Sequence, residues 1–216
     1  MENNKKVVEF YFDFLSPYSY LAWQWAKKKL VNGEVSLKYF PVPLFKVIHH
    51  YETKGPAEIP PKRDYLMKHC LRTAQENKIP FFIPHKLPFN SLYALRLATN
   101  HAAQKGQFEI VDQLFDHAWN QGTDMEDEEK LQKLIKIASC GKDGAWERSW
   151  EKEAKVEMKL NCKKAIERGV FGLPAFYVLE GDELFWGNDC ENHLGNFLAD
   201  GDNLNQQQYQ KYLELF

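Results

Sequence analysis

Residues 12–23 read FDFLSPYSYLAW. A nearly unbroken apolar run, Val7 to Phe14, stops at Ser16-Pro17-Tyr18-Ser19 and then resumes with helical spacing. Two hydroxyls around a proline, where a strand hands over to a helix, admit two kinds of chemistry. In the first, Ser16 is a helix N-cap whose oxygen accepts a main-chain N–H, worth about 1 kcal/mol. Pro17 then takes the first helical position, where its missing donor does no harm. In the second, the free N–H groups and the positive end of the helix dipole attract an anion, and a thiolate is an anion. A hydroxyl there can donate a hydrogen bond to bound sulfur and lower its pKa without acting as the nucleophile.

Three further places carry groups with a double reading. In GVFGLPAFYV, residues 169–178, Pro174 stands just before a strand. A trans Leu173-Pro174 bond is the ordinary expectation; a cis bond lets the Leu173 backbone face outward and pair with an extended, peptide-like ligand. In FWGNDCE, residues 185–191, Asn188 and Asp189 fall at a helix start, either as caps or with the carboxylate holding a ligand ammonium group. Lys62 lies in a proline-rich connection, as a solvated lysine or as an anchor for a ligand carboxylate.

Composition removes several classes. The formal net charge of −2 over 216 residues argues against a general nucleic-acid-binding surface. Lys27-Lys28-Lys29 is short and falls at a helix end, where cations complement the dipole. No apolar stretch reaches the roughly 18 residues of a membrane span. MENNKKVVEF lacks the apolar segment of a secretory signal, so a soluble, cytoplasmic protein is expected. Cys70, Cys140, Cys162 and Cys190 are too scattered for Cys-x-x-Cys, which argues for free thiols without a dithiol motif. The adjacent His49-His50 is not a metal-ligand pattern, and no metal site is expected.

The elements that must position these groups follow from apolar periodicity. Residues 7–14 read as a doubly buried strand, 16–30 as a helix stopped by Asn32-Gly33, and 34–42 as a second strand. The proline-rich, basic segment from Pro43 to Tyr65 reads as a long irregular connection. Helical patterns follow, with Leu66, Cys70, Leu71 and Ala74 on one apolar side, then Leu92, Leu95, Ala98 and Ala102, then Phe108, Val111, Leu114, Phe115 and Ala118. Two more helices are expected over DEEKLQKLIKIAS and the long AWERSWEKEAKVEMKLNCKKAIERG, with Trp146 and Trp150 in the core. After Gly169 come two strands joined through Glu180-Gly181-Asp182-Glu183 and a final helical section. The order βαβ, helices, ββα describes an interrupted α/β domain.

Taken together, FYFDFLSPYSYLA, the Pro-Pro-Lys segment, the helical insertion, GVFGLPAF and FWGND resemble one family over almost the whole chain. It contains the 2-hydroxychromene-2-carboxylate isomerases and the kappa-class glutathione transferases, relatives of the thioredoxin-fold DsbA oxidoreductases. The resemblance implies a thioredoxin-like domain (βαβ…ββα) from residues 1–45 and 163–216, interrupted by an inserted helical domain, 46–162. Where DsbA-like relatives carry Cys-x-x-Cys, this chain reads Ser16-Pro17-Tyr18-Ser19. Glutathione is then the cofactor, and Ser16 matches the serine that stabilises its thiolate. Leu173 and Pro174 match a cis-proline turn that pairs with the cysteinyl unit, Asn188 and Asp189 meet the γ-glutamyl end, and Lys62 matches a lysine of the glutathione-binding loop. Asn90, in LPFNSLYALR, is a candidate for the second-substrate pocket, with a helix cap as its other reading.

The implied activity is isomerisation of a small electrophilic aromatic substrate through a transient glutathione thiolate adduct. The same thiolate half-site also serves a conjugating transferase. A thiol-binding protein without turnover, or a redox protein using other cysteines, is the reading outside both. The resemblance also implies a homodimer. Two departures stand out: Glu52-Thr53 replaces the Gly-Asn of many relatives, and Cys190 replaces a common arginine.

Overall fold

The computed structural model describes residues 5–31, 34–138 and 144–215. The expected helix stop at Asn32-Gly33, and Cys140, lie outside the described residues. Strands β1 (Lys6–Phe12), β2 (Val35–Pro41), β3 (Ala175–Val178) and β4 (Glu183–Trp186) form one mixed sheet in the order β2-β1-β3-β4. β1 runs parallel to β2, with Phe10 opposite Tyr39. β3 runs antiparallel to both β1 and β4, so that Tyr11 faces Ala175 and Ala175 faces Trp186.

Helix α1 (Pro17–Lys29) connects β1 to β2. Between β2 and β3 come α2 (Leu44–His50), α3 (Pro60–Glu76), α4 (Leu92–Leu97), α5 (Asn100–Ala103), α6 (Gln107–Trp119), α7 (Glu128–Ala138), α8 (Ala145–Trp150) and α9 (Lys152–Glu167). After β4 follow α10 (Glu191–Asp200) and α11 (Gln206–Leu213). This is the thioredoxin-like α/β fold with a helical insertion. Among the described residues no helix is long and apolar enough to cross a membrane.

β1 is central and covered on both sides, which is why its sequence shows no clean polar alternation. Val8, Phe10 and Phe12 join the larger core with Trp23 of α1 and Phe115 of α6. The Phe10 ring stacks on Phe176 at 4.7 Å, and Phe12 meets Phe115 at 5.4 Å, so the sheet and the insertion share one aromatic interior. The opposite face carries Tyr11, Val47, Ala165 and Tyr177. There Glu9 is buried, accepting from the Tyr11 hydroxyl at 2.7 Å and pairing with Lys164 and Arg168 of and beside α9.

The stretch expected to be irregular contains α2, a short 3-10 turn at Pro56–Glu58 and the opening of α3. Pro60 and Pro61 occupy the first turn of α3, where proline starts a helix instead of breaking one. Leu71, expected on the apolar side of that helix, is exposed, whereas Cys70 and Ala74 are buried. The pattern around Leu92–Ala102 is cut at Thr99, whose hydroxyl accepts from Ala102 N–H at 3.3 Å and caps α5. The long pattern after Ala145 is cut at Glu151, which is extended and pairs with His101 at 2.7 Å. Trp146 packs against the core, but Trp150 is half-exposed, lying on Tyr93 at 5.3 Å and beneath the Arg96 guanidinium.

The turn after β1 is held by Asp13, which is 1% exposed. Its carboxylate accepts from Leu15 N–H at 2.9 Å and Leu44 N–H at 2.8 Å, and the Ser91 hydroxyl bonds it as well. One side chain thereby joins the end of β1, the start of α2 and the start of α4. Burial pushes the Asp13 carboxyl above its ordinary value, opposed by those three bonds. Since the folded chain holds this proton more tightly than the unfolded one, its contribution to stability falls as pH rises above the ordinary carboxylate range. Asp13→Ala leaves two main-chain donors buried without partners and is expected to cost about 3 kcal/mol. Asp13→Asn, which keeps an acceptor, should cost less and should remove that pH slope. Urea unfolding of the three proteins across pH 4 to 8 checks both.

Candidate active site

Ser16 is the N-cap of α1, with extended backbone at φ −84° and ψ 114°. Its hydroxyl oxygen accepts from Ser19 N–H at 3.2 Å, and its proton is donated to the Leu173 carbonyl at 3.3 Å. Ser16 N–H donates to the Asp13 carbonyl at 3.0 Å, and the Trp119 indole donates to Phe14 at 2.7 Å. The turn that carries Ser16 is therefore fixed by its own strand and by the insertion. The first turn of α1 contains no acidic residue, so the positive end of a 13-residue helix is not neutralised from within.

Leu173-Pro174 is a cis peptide bond, against the ordinary trans expectation for an isolated X-Pro, and Leu87-Pro88 is cis as well. Leu173 is 5% exposed and belongs to the core under α9. The Pro174 carbonyl accepts from Gly187 N–H at 3.0 Å. Among the described residues the Leu173 N–H has no hydrogen-bond partner, leaving it free for a ligand.

Asn188 and Asp189 do not cap α10. The N-cap is Cys190, without a side-chain cap bond. The Asn188 carbonyl accepts from the Trp25 indole of α1 at 3.0 Å, which ties this turn to the same helix as Ser16. Asp189 is exposed, and its charge contributes to raising the Tyr18 phenol. Cys190 is buried and donates to the Gly187 carbonyl at 3.1 Å, so a thiol closes this turn.

Lys62 sits in the first turn of α3, not in a loop, and is exposed. With Tyr18, Pro56, Pro61, Tyr65 and Leu66 it lines an open pocket of about 330 Å3. That volume is at the lower end for small-molecule sites. A lysine at a helix start opposes the dipole, and α3 has no acidic residue in that turn, so an anion bound there would relieve both. Tyr18 links the pocket to α1, its phenol pushed up to about 12 chiefly by burial, then by the fields of Cys70, Tyr65 and Asp189. His69 meets the Tyr18 ring edge-on at 5.6 Å and stacks on Tyr65 at 6.0 Å. Composition gave no signal for this aromatic cluster; Tyr18 and Tyr65 are brought together only by the packing of α1 on α3.

While the N-cap of α4 is Ser91, Asn90 is exposed and its amide oxygen accepts from Leu92 N–H at 3.1 Å. Its own N–H donates to Glu126 at 2.6 Å. Glu52 has φ 51° in the left-handed region, which glycine adopts most readily. Among the described residues, His101, Glu151 and Glu153 have metal-ligating atoms within 4.8 Å of one another. They lie on α5 and the α8–α9 junction, and His101 already pairs with Glu151.

The sequence profile of the DSBA-like thioredoxin domain matches residues 7–199. The chain belongs to the DSBA-like thioredoxin-domain family. A 2-hydroxychromene-2-carboxylate isomerase of Pseudomonas sp. (strain C18) is 31% identical over 203 residues, covering 91% of this chain and 93% of that protein. Glutathione S-transferase kappa 2 of Caenorhabditis elegans is 25% identical, covering 91% and 93%. The solved structure of a 2-hydroxychromene-2-carboxylate isomerase superposes with a TM-score of 0.79 at 27% identity, covering 97% of this chain and 99% of that one. Within the DSBA-like family the chain thus stands with the isomerases and kappa transferases.

In this family member the paired positions hold serines with unequal surroundings. Ser19 is fully buried and its hydroxyl has no hydrogen-bond partner. Ser16→Ala removes an N-cap and should cost about 1 kcal/mol, whereas Ser19→Ala removes an unsatisfied buried hydroxyl and should be neutral or stabilising. Thermal unfolding of the two variants separates them. Burial holds the Cys70 and Cys190 thiols up at about 12, so both are protonated and unreactive at neutral pH. Iodoacetamide at pH 7.5 should leave both unmodified until the chain is unfolded, as read by peptide mass spectrometry.

Proposed function

We propose that the protein is a glutathione-dependent isomerase acting on 2-hydroxychromene-2-carboxylate-like intermediates of aromatic degradation. The observation that carries the reading is Ser16. It is a hydroxyl, in place of a cysteine, at the unneutralised N-terminus of α1, within hydrogen-bond distance of the Leu173-Pro174 turn. The residues present fit a glutathione molecule: a free Leu173 N–H for a peptide backbone, an exposed Asp189 carboxylate for an ammonium group, and Lys62 for a carboxylate. Tyr18 supports the reading, since it lines the Lys62 pocket and feels the Asp189 charge.

Glutathione held by Ser16, Leu173, Lys62 and Asp189 would supply a nucleophilic thiolate for reversible addition to the substrate's electrophilic carbon. Ser16 turns its hydroxyl proton from the Leu173 carbonyl to the sulfur, and the first-turn N–H groups of α1 favour the negative charge. Leu173 fixes the tripeptide backbone, and Lys62 and Asp189 set its direction along the groove, which is the orientation that makes addition effectively unimolecular. Asn90 completes the proposal as a contact for the second substrate.

Isomerase relatives match at 27–32% identity and kappa transferases at 24–25%, which favours isomerisation over conjugation. Conjugation by the same thiolate is the second reading. The division into a thioredoxin-like domain, 1–45 and 163–216, and an inserted domain, 46–162, belongs to the proposal, as do a homodimer and a cytoplasmic location.

Ultraviolet absorbance of the glutathione thiolate, titrated against pH with wild type and Ser16→Ala, tests the assignment. A bound-thiol pKa below that of free glutathione, returning towards it in the variant, is expected, together with turnover of 2-hydroxychromene-2-carboxylate. An identical pKa in both proteins reduces Ser16 to a helix cap and removes the mechanism.

A further inference from the structure

Trp186 and Phe171 are both about half exposed, at 51% and 49%, and their rings lie 5.1 Å apart. Exposed aromatic residues need no explanation by themselves. Gly172 makes this pair different. A Cβ built on Gly172 would stand 2.7 Å from Trp186 Nε1 and 3.3 Å from Cε2, so the indole lies directly on this residue's backbone. Gly172 is not among the positive-φ residues, so the backbone itself would admit alanine, but the indole would have to shift to make room for its Cβ.

The peptide unit that begins at Gly172 is the one that carries the free Leu173 N–H. Glycine is the most permissive residue, and rotation about its ψ would swing that N–H away from any ligand. Downstream the turn is already held: Pro174 accepts from Gly187 N–H at 3.0 Å, and Ala175 pairs with Trp186 across β3 and β4. Upstream the covering group is the indole. We propose that Trp186 is a positioning residue of the glutathione site, restoring through contact the restraint that glycine removes and aiming the Leu173 N–H at the ligand backbone. Glycine at 172 is then required for close approach, and the tryptophan for rigidity. The inference rests on the glutathione reading above and adds to it a residue that touches no ligand.

Calorimetric titration of glutathione into wild type, Trp186→Ala, Trp186→Phe, Gly172→Ala and the Gly172→Ala/Trp186→Ala double variant tests it. Trp186→Ala should weaken binding by about tenfold through loss of preorganisation, while the bound-thiol pKa stays at the wild-type value because Ser16 is untouched. Trp186→Phe should recover most of the loss. Gly172→Ala should weaken binding as well, and the double variant should lose no more than the worse single one, since removing the indole makes room for the methyl group. Binding of Trp186→Ala within about twofold of wild type, or losses that multiply in the double variant, would overturn the proposal. The Leu173 amide supplies a readout that needs no ligand: its NMR resonance should broaden or shift in Trp186→Ala and return in Trp186→Phe. If wild type binds no glutathione, the functional reading fails, and an unchanged Leu173 resonance then sinks the bracing contact separately. Trp186→Phe and Gly172→Ala keep the test open should Trp186→Ala fail to fold.

Discussion

The Asp13 carboxylate is the contact on which the geometry of the site depends. It ends the central strand, lies almost wholly out of water, and is bonded by groups from three stretches of chain: Leu15, Leu44 and Ser91. A buried carboxylate is tolerable only when its lone pairs are used, and using them fixes the segments that supply the donors. The same turn offers the Asp13 carbonyl to Ser16 N–H and the Phe14 carbonyl to the Trp119 indole. The insertion is thus bonded into the floor of the candidate site as well as packed against the sheet.

Above that floor, the electrostatics are arranged by subtraction. α1 and α3 both begin without an acidic residue, and α3 carries Lys62 in its first turn. Tyr18, in the first turn of α1, lines a pocket with Lys62, and its phenol is kept protonated by burial and by nearby negative fields. Elsewhere the chain does neutralise its charges: Glu9 pairs with Lys164 and Arg168, and Glu157 takes the first N–H groups of α5. A helix start with free main-chain N–H groups and a lysine, and no acidic residue in its turn, favours an anion. Two buried polar atoms without partners, Ser19 Oγ and His69 Nδ1, also flank Tyr18.

The turns of the candidate site are held by side chains from neighbouring elements. Trp25 of α1 holds the Asn188 carbonyl, Cys190 closes the Gly187 turn, and Trp186 covers Gly172. Cys190 packs in the core and bonds the Gly187 carbonyl with its own thiol. Glu52 holds a left-handed backbone without being glycine.

The sequence by itself determined the sheet, the cap and the absence of a dithiol. Val7–Phe14 read as a buried strand, of which β1 holds residues 7–12 before the turn at Asp13; Ser16-Pro17 had to open a helix, and no pair of cysteines shows Cys-x-x-Cys spacing. These features depend on neighbours along the chain, and the order of motifs was enough to place the family. The breaks at Thr99 and Glu151 were not legible, because each follows from a side chain bonding across a junction that amphipathic periodicity ignores. Nor was the exposure of Leu71 and Trp150, since period alone does not say which flank of an apolar stripe meets a partner. Lys62 was read in a loop because prolines signal interruption, whereas here they start α3. What only tertiary structure decided is which distant groups meet: Asp13 with Leu44 and Ser91, Tyr18 with Lys62 and Tyr65, Trp186 with Gly172. Such meetings depend on how helices and strands pack, and each lies between residues whose separation along the chain carries no local signal.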